Sequence, residues 1–155
     1  MNNKMIYAGS NNRGGEFGHM TIVPHGKRCY CGRYGCLDAY CTATALTDFT
    51  EGNLKEFFDI LKAGNNKGIQ NVFEDYTDYL AIAVNNLRMC FDCDVILGGN
   101  VGAYMSDYID DFRKKAVKLN PFEKDGSYIR VCHYRTEAAA VGAAIYYIDQ
   151  FIQNF

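Results

Sequence analysis

Gly15-Glu16-Phe17-Gly18-His19 and then Cys29-Tyr30-Cys31-Gly32-Arg33-Tyr34-Gly35-Cys36-Leu37-Asp38 are the stretches of this 155-residue chain that carry the most chemistry. One imidazole and three thiolates, from His19, Cys29, Cys31 and Cys36, are a donor set suited to a tetrahedral zinc ion. Four protein ligands close the coordination sphere, which favours structural Zn2+ over a metal that activates water. Cys29 and Cys31 can reach one ion from a tight knuckle, and Gly32 and Gly35 let the backbone turn back so that Cys36 adds another ligand. The run Met20-Thr21-Ile22-Val23 reads as a short strand, and His19 at its start would tie that strand to the loop. Free, partly buried thiols are the plain alternative. Three cysteines within eight residues, punctuated by glycines, argue against it.

Working outward, the length fits a single domain, residues 1–155, and the 48% apolar and 22% charged composition is that of a globular protein. The net charge is −2, and no stretch supplies the clustered basic surface that a DNA backbone requires. Arg113-Lys114-Lys115 comes nearest and is expected on a solvated helix face. No apolar run is long enough to span a bilayer, and Met1-Asn2-Asn3-Lys4 does not read as a signal peptide. A cytoplasmic location without membrane contact is therefore expected, and seven cysteines there read as thiols or metal ligands rather than disulfides.

The chain falls into three zones. Residues 9–38 carry the metal-ligand pattern, residues 37–91 read as helical, and residues 92–155 alternate between strand and helix. In the first zone Met5-Ile6-Tyr7-Ala8 also reads as a strand. In the second, Leu37 to Leu46 reads as a short helix and Asn53 opens another that ends near Gly64. Ile69, Val72, Phe73, Tyr76, Leu80, Ala83, Leu87 and Phe91 then recur at helical spacing. In the third, Asp94 to Leu97 reads as a buried strand, Val101 to Ala116 as one helix, and Tyr128 to Tyr134 as a second strand. A last helix from Glu137 to about Phe155 would turn Ala138, Val141, Ile145, Ile148 and Ile152 inward. Strand, helix, strand, helix with short connections implies an α/β layer with a right-handed crossover.

Several residues are assigned no site. His25 lies in a Pro-His-Gly turn and is expected to be exposed, while His133 on a strand is expected to be packed. Cys41, Cys90, Cys93 and Cys132 lack ligand spacing and are expected to be buried thiols. Most of the twelve tyrosines fall at helical core spacings.

The spacing over residues 9–38 closely resembles the signature of the ROK family, in which a GE-x-GH segment is followed by C-x-C-G-x-x-G-C-[LV]-E. Leu97-Gly98-Gly99 and Gly142-Ala143-Ala144 resemble later glycine landmarks of the same family. The resemblance implies a partial actin-like ATPase (ribonuclease H-like) C-terminal domain with a zinc knuckle, the second of two α/β domains. It also implies that Glu16 and His19 contact the hydroxyls of a small sugar or amino sugar, the histidine serving zinc as well, and that Asp38 is a third sugar contact. Physically, a carboxylate offers two acceptor oxygens to neighbouring hydroxyls, and a metal-bound imidazole has its other nitrogen aimed. Asp38 departs from the usual glutamate by one methylene, so the sugar would shift toward the loop or a water would fill the gap. Its plainer role would be to cap the helix that begins there.

For the kinase members, the resemblance places a D-x-G-x-T phosphate loop and a catalytic aspartate in the N-terminal half. Neither is in this sequence, so no catalytic residue is expected in it. Gly98 and Gly99 would approach ATP if the parent protein is a kinase, although Asn100 stands where kinases often carry a third glycine. Together with Asp38 and the run Asn85-Asn86-Leu87-Arg88-Met89, Asn100 tilts the reading toward the sugar-sensing and assembly half of a transcriptional regulator. Such a protein would meet DNA only through a missing N-terminal domain. The alternative is the C-terminal part of an ATP-dependent sugar kinase resembling glucokinases, and the plainest reading is a zinc-stapled assembly domain without ligand. Family strands expected before Met5 would, if missing, expose a sheet edge, so a homodimer is expected.

Overall fold

The computed structural model describes residues 9–153, so the strand expected at Met5 to Ala8 lies outside the described residues. Its frame is built on three helices: α2 (Leu54–Ala63), α3 (Lys67–Phe91) and α5 (Ile109–Lys118). Side chains cap the starts of the first two, at Asn53 as the sequence indicates and at Asn66. Asn53 and Asn66 each accept a backbone N–H three residues on, from Glu56 and Ile69, both at 3.1 Å. Asp92 ends α3 in a left-handed conformation (φ 47°), its N–H bonded to the Arg88 carbonyl. The apolar stripe of α3 faces inward at Ile69, Phe73, Tyr76, Ala81 and Val84.

Phe57, Phe58, Leu46, Met105, Phe112, Ala116 and Ile129 close the core around that stripe. Phe58 stacks on Tyr104 at 4.3 Å and meets Phe73 edge-on at 5.7 Å. Lys115 crosses from α5 to α3, reaching Glu74 and Asp78 at 2.7 Å each and the Thr77 hydroxyl at 2.8 Å. Arg113 donates twice to the Ile129 carbonyl, so of the three consecutive cations expected in solvent only Lys114 stays fully outside.

Two short strands, β1 (Val95–Leu97) and β2 (Ile129–Val131), pair in parallel with Val95 opposite Ile129 and Leu97 opposite Val131. The crossover between them runs through α4 (Gly99–Gly102) and α5, as a parallel pair requires. Arg88 fixes the end of α3 to the approach to β2, bonding Glu123 at 2.6 Å with its guanidinium over the Tyr128 ring.

Four expectations need correcting. Met20 to Val23 is no strand; only Thr21 pairs, in a single antiparallel bridge to Cys36, because its neighbours bond into the knuckle instead. Leu37 to Leu46 breaks into a 3-10 turn (Leu37–Ala39) and α1 (Ala43–Thr47), since Thr42 caps a new start by accepting from the Ala45 N–H. Val101 to Ala116 is likewise α4, a 3-10 turn (Met105–Asp107) and α5, with Tyr108 at φ −119° between the last two. The final helix, α6 (Ala138–Gln153), forms, yet Ile145, Ile148 and Ile152 are 57%, 58% and 65% exposed rather than inward. Periodicity shows which residues share a face but not what that face meets.

Candidate metal and sugar site

A backbone scaffold brings the four ligand candidates together. Phe17–His19 is a 3-10 turn, which places His19 at its end rather than on a strand. The loop from Arg28 to Tyr34 folds as a tight hairpin: the Cys29 N–H bonds the Arg33 carbonyl at 2.8 Å and the Gly32 N–H returns to Cys29 at 3.0 Å. Gly35 then locks this hairpin to the preceding segment. Its carbonyl accepts from Ile22 and Val23 at 2.8 and 3.2 Å, and its N–H donates to Lys27 at 2.8 Å. The Gly35 φ is 79°, and a Cβ there would overlap the Val23 carbonyl, so both conformation and space demand glycine.

The result is a cluster in which the ligand atoms of His19, Cys29, Cys31 and Cys36 all lie within 4.8 Å of one another. Cys31 Sγ and Cys36 Sγ are 3.7 Å apart, and Cys29 Sγ is 3.8 Å from His19 Nδ1. A zinc–sulfur bond of about 2.3 Å gives a tetrahedral edge of about 3.8 Å, so the donor set and its spacing fit zinc. Cys29 and Cys36 are buried and Cys31 is exposed. Burial pushes the Cys36 thiol up to about 11, while the Arg33 backbone N–H lowers that of Cys31. One side of the knuckle opens on a cleft of about 680 Å³ lined by His19, Thr21, Cys31, Gly32, Arg33, Tyr34 and Cys36.

His19 faces two ways. With Nδ1 toward the sulfurs, Nε2 points to the Tyr30 hydroxyl at 3.3 Å, and that hydroxyl donates to Asp38 Oδ2 at 3.0 Å. Asp38 lies against the 3-10 turn so closely that a Cβ at Gly18 would collide with its carboxylate. Its side chain does not cap the turn it sits in, which begins at Cys36 with no side-chain cap. Glu16 starts the other 3-10 turn and is exposed, its carbonyl accepting from the His19 N–H at 3.2 Å. Beside it is a cleft of about 480 Å³ lined by Gly9, Ser10, Asn11, Arg13 and Gly14 to Phe17, with Phe91 as its far wall. Phe17 and Phe91 meet edge-on at 5.4 Å. Gly98 and Gly99 sit apart, at the start of α4 beyond β1, where both are exposed.

Two participants escaped sequence reasoning. Tyr30 is 80% exposed and belongs to the site rather than the core; its place between two ligand cysteines was the available signal. Phe91 ends the inward stripe of α3 but turns to the cleft, for which the sequence holds no cue. Other assignments shift as well. His133 is exposed, ring-to-ring with Tyr134, because β2 ends before it. Cys90 and Cys93 are exposed and Cys41 and Cys132 half-buried; the end of α3 and the loop after it leave the first pair uncovered.

The ROK family model matches residues 1–150. The chain belongs to the ROK family. The N-acetylmannosamine kinases of Yersinia pestis and Yersinia pseudotuberculosis are 29% identical to it over 153 residues, 93% of this chain and 50% of theirs. Among solved structures, the ROK hexokinase of Thermus thermophilus superposes with a TM-score of 0.70 at 27% identity, covering 89% of this chain and 50% of that one. A ROK glucokinase from Streptomyces griseus, in complex with glucose and AMPPNP, has the same fold at a TM-score of 0.64, with 20% identity over 83% of this chain and 49% of that one. The chain thus spans about half the length of the curated relatives it matches. These relatives are sugar kinases, and they favour the kinase alternative over the regulator expected from the sequence. Departures at Asn100 and Asp38 weigh less than similarity spread along nearly the whole chain. Among the described residues no helix is long and apolar enough to cross a membrane.

Proposed function

We propose that this chain is the zinc-stapled, sugar-binding half of an ATP-dependent ROK sugar kinase, acting on a small sugar or amino sugar. One observation carries the reading: His19 presents Nδ1 to the cysteine cluster and Nε2 to the side that also holds Asp38. His19, Cys29, Cys31 and Cys36 would hold Zn2+, which supplies cross-linking of the loop rather than reaction chemistry. With Nδ1 so committed, the imidazole proton sits on Nε2, making that nitrogen a fixed hydrogen-bond donor. Asp38 and Glu16 supply carboxylate acceptors for sugar hydroxyls on either side of the same 3-10 turn. Gly98 and Gly99 are the candidate contact with ATP in a complete kinase, whose phosphate loop and catalytic aspartate would come from its other half. Self-association of this chain is a separate proposal that light scattering checks.

Calorimetric titration of the zinc-loaded chain with glucose and with N-acetylmannosamine tests the sugar part. Saturable binding of at least one, weakened at least tenfold by Glu16→Ala, is the expected result. Absence of binding, or affinity indifferent to Glu16→Ala, overturns it. A Cys31→Ser chain that kept full zinc content would overturn the metal part.

A further inference from the structure

The Tyr30 hydroxyl makes the two contacts that a bound sugar hydroxyl would make. A sugar hydroxyl in a polar site accepts one hydrogen bond and donates another. Here the phenol oxygen lies 3.3 Å from His19 Nε2 and donates to Asp38 Oδ2 at 3.0 Å. The phenol has one proton and gives it to the carboxylate, so its oxygen accepts from Nε2–H. Two of the three groups proposed to read the sugar are therefore already engaged, by a side chain of the same chain.

What holds Tyr30 there is slight. The residue is 80% exposed, and among the described residues its one ring contact is the edge of His19, centroid to centroid 5.2 Å. Core packing does not fix it, so the ring can swing outward by side-chain rotation while the knuckle backbone stays in place. The short reach of Asp38 fits the same picture, since the phenol spans the space between that carboxylate and His19.

We propose that Tyr30 is an internal competitor for the sugar: its hydroxyl holds the place of a sugar hydroxyl between His19 Nε2 and Asp38, and a sugar binds by displacing it. This rests on the sugar-site reading above. The ligand class is a sugar whose hydroxyl can both accept from the imidazole and donate to the carboxylate. A sugar lacking that hydroxyl leaves Tyr30 in place and gains nothing from these two residues. Tyr30 thereby lowers affinity for any ligand that must displace it, and the loss is best offset by one that replaces both of its bonds.

The test is calorimetry on the full zinc-loaded chain with glucose and N-acetylmannosamine as probes. Tyr30→Phe keeps the ring and removes the competing oxygen, so it is expected to tighten binding about three- to tenfold, the net worth of the two exposed contacts that the hydroxyl makes. Zinc content is expected to be unchanged. In an Asp38→Ala background the same change is expected to tighten binding less, because one of the two bonds it releases is already gone. Unchanged or weaker binding by Tyr30→Phe overturns the proposal, since a tyrosine that contacts the sugar favourably would give that result. A second measurement needs no variant: in tyrosine-labelled chain, the Tyr30 ring resonance is expected to move on sugar addition, and a resonance that stays put also overturns it. Wild-type binding that is absent or insensitive to Glu16→Ala overturns the sugar site and this proposal together. Glu16-dependent binding without tightening by Tyr30→Phe overturns the competitor alone.

Discussion

Gly32 and Gly35 lie in the same knuckle with nearly the same backbone, φ 84° and 79°, but in different surroundings. A Cβ at Gly32 meets nothing within 4 Å, so Gly32→Ala costs only the left-handed conformation, about 1–2 kcal/mol. A Cβ at Gly35 overlaps the Val23 carbonyl, which is backbone and cannot rotate away. To clear it, the segment from Ile22 to Val23 must separate from Gly35, straining the two bonds to its carbonyl and the one from its N–H to Lys27. At about 1 kcal/mol each, their loss adds about 3 kcal/mol, for a total of about 4–5 kcal/mol. Because the scaffold and the ligand set form together, this cost appears in metal affinity. Zinc binding, measured by competition with a chromophoric chelator, is expected to weaken about tenfold in Gly32→Ala and about a thousandfold or more in Gly35→Ala. Equal losses in the two variants, or full affinity in Gly35→Ala, would refute the claim that the Gly35 turn holds the cysteines in register.

Other consequences concern protons and the core. Zinc uptake at neutral pH is expected to release protons, since the Cys36 thiol stays protonated to about 11 without metal, and apparent zinc affinity should rise with pH. Calorimetry in buffers of different ionisation enthalpy reads the release; a zero count contradicts a thiolate site. Burial pushes the Cys41 thiol from 9.0 to about 12, so the unfolded chain loses that proton first. The associated stability is complete below about pH 9 and drains away as pH rises toward 12. Urea midpoints should follow that course and fall less steeply in Cys41→Ala; parallel slopes would contradict it. Phe57→Ala, at a fully buried position on α2, should cost about 3–5 kcal/mol in urea unfolding, while Phe49→Ala, 66% exposed, should cost little. Similar midpoints for the two would show that the core is misplaced.

Much of this architecture was legible because local chemistry sets it. Asn53 and the α3 stripe specify two helices through capping and periodicity alone. The clustering of His19 with Cys29, Cys31 and Cys36 was legible for the same reason, since three close cysteines and two glycines with positive φ fold into one short hairpin. What escaped depends on partners distant in sequence. Val101 to Ala116 keeps helical spacing across two breaks, because the core asks only that Tyr104, Met105, Tyr108 and Phe112 face the same way. The stripe of α6 reads as core, yet among the described residues it stays open to solvent. Tyr30 reads as one more aromatic until the hairpin carries it over His19 and Asp38, a placement that only the folded loop creates.

The central claim is that one imidazole serves metal and sugar from opposite edges. Nitrogen-15 NMR of the histidine rings, recorded on zinc-loaded chain before and after adding glucose or N-acetylmannosamine, tests it directly. The account predicts that one ring, assigned to His19 by its loss in His19→Gln, carries metal on Nδ1 throughout and shifts only at Nε2 when sugar is added. Metal on Nε2, or a His19 ring that no sugar perturbs, would contradict it.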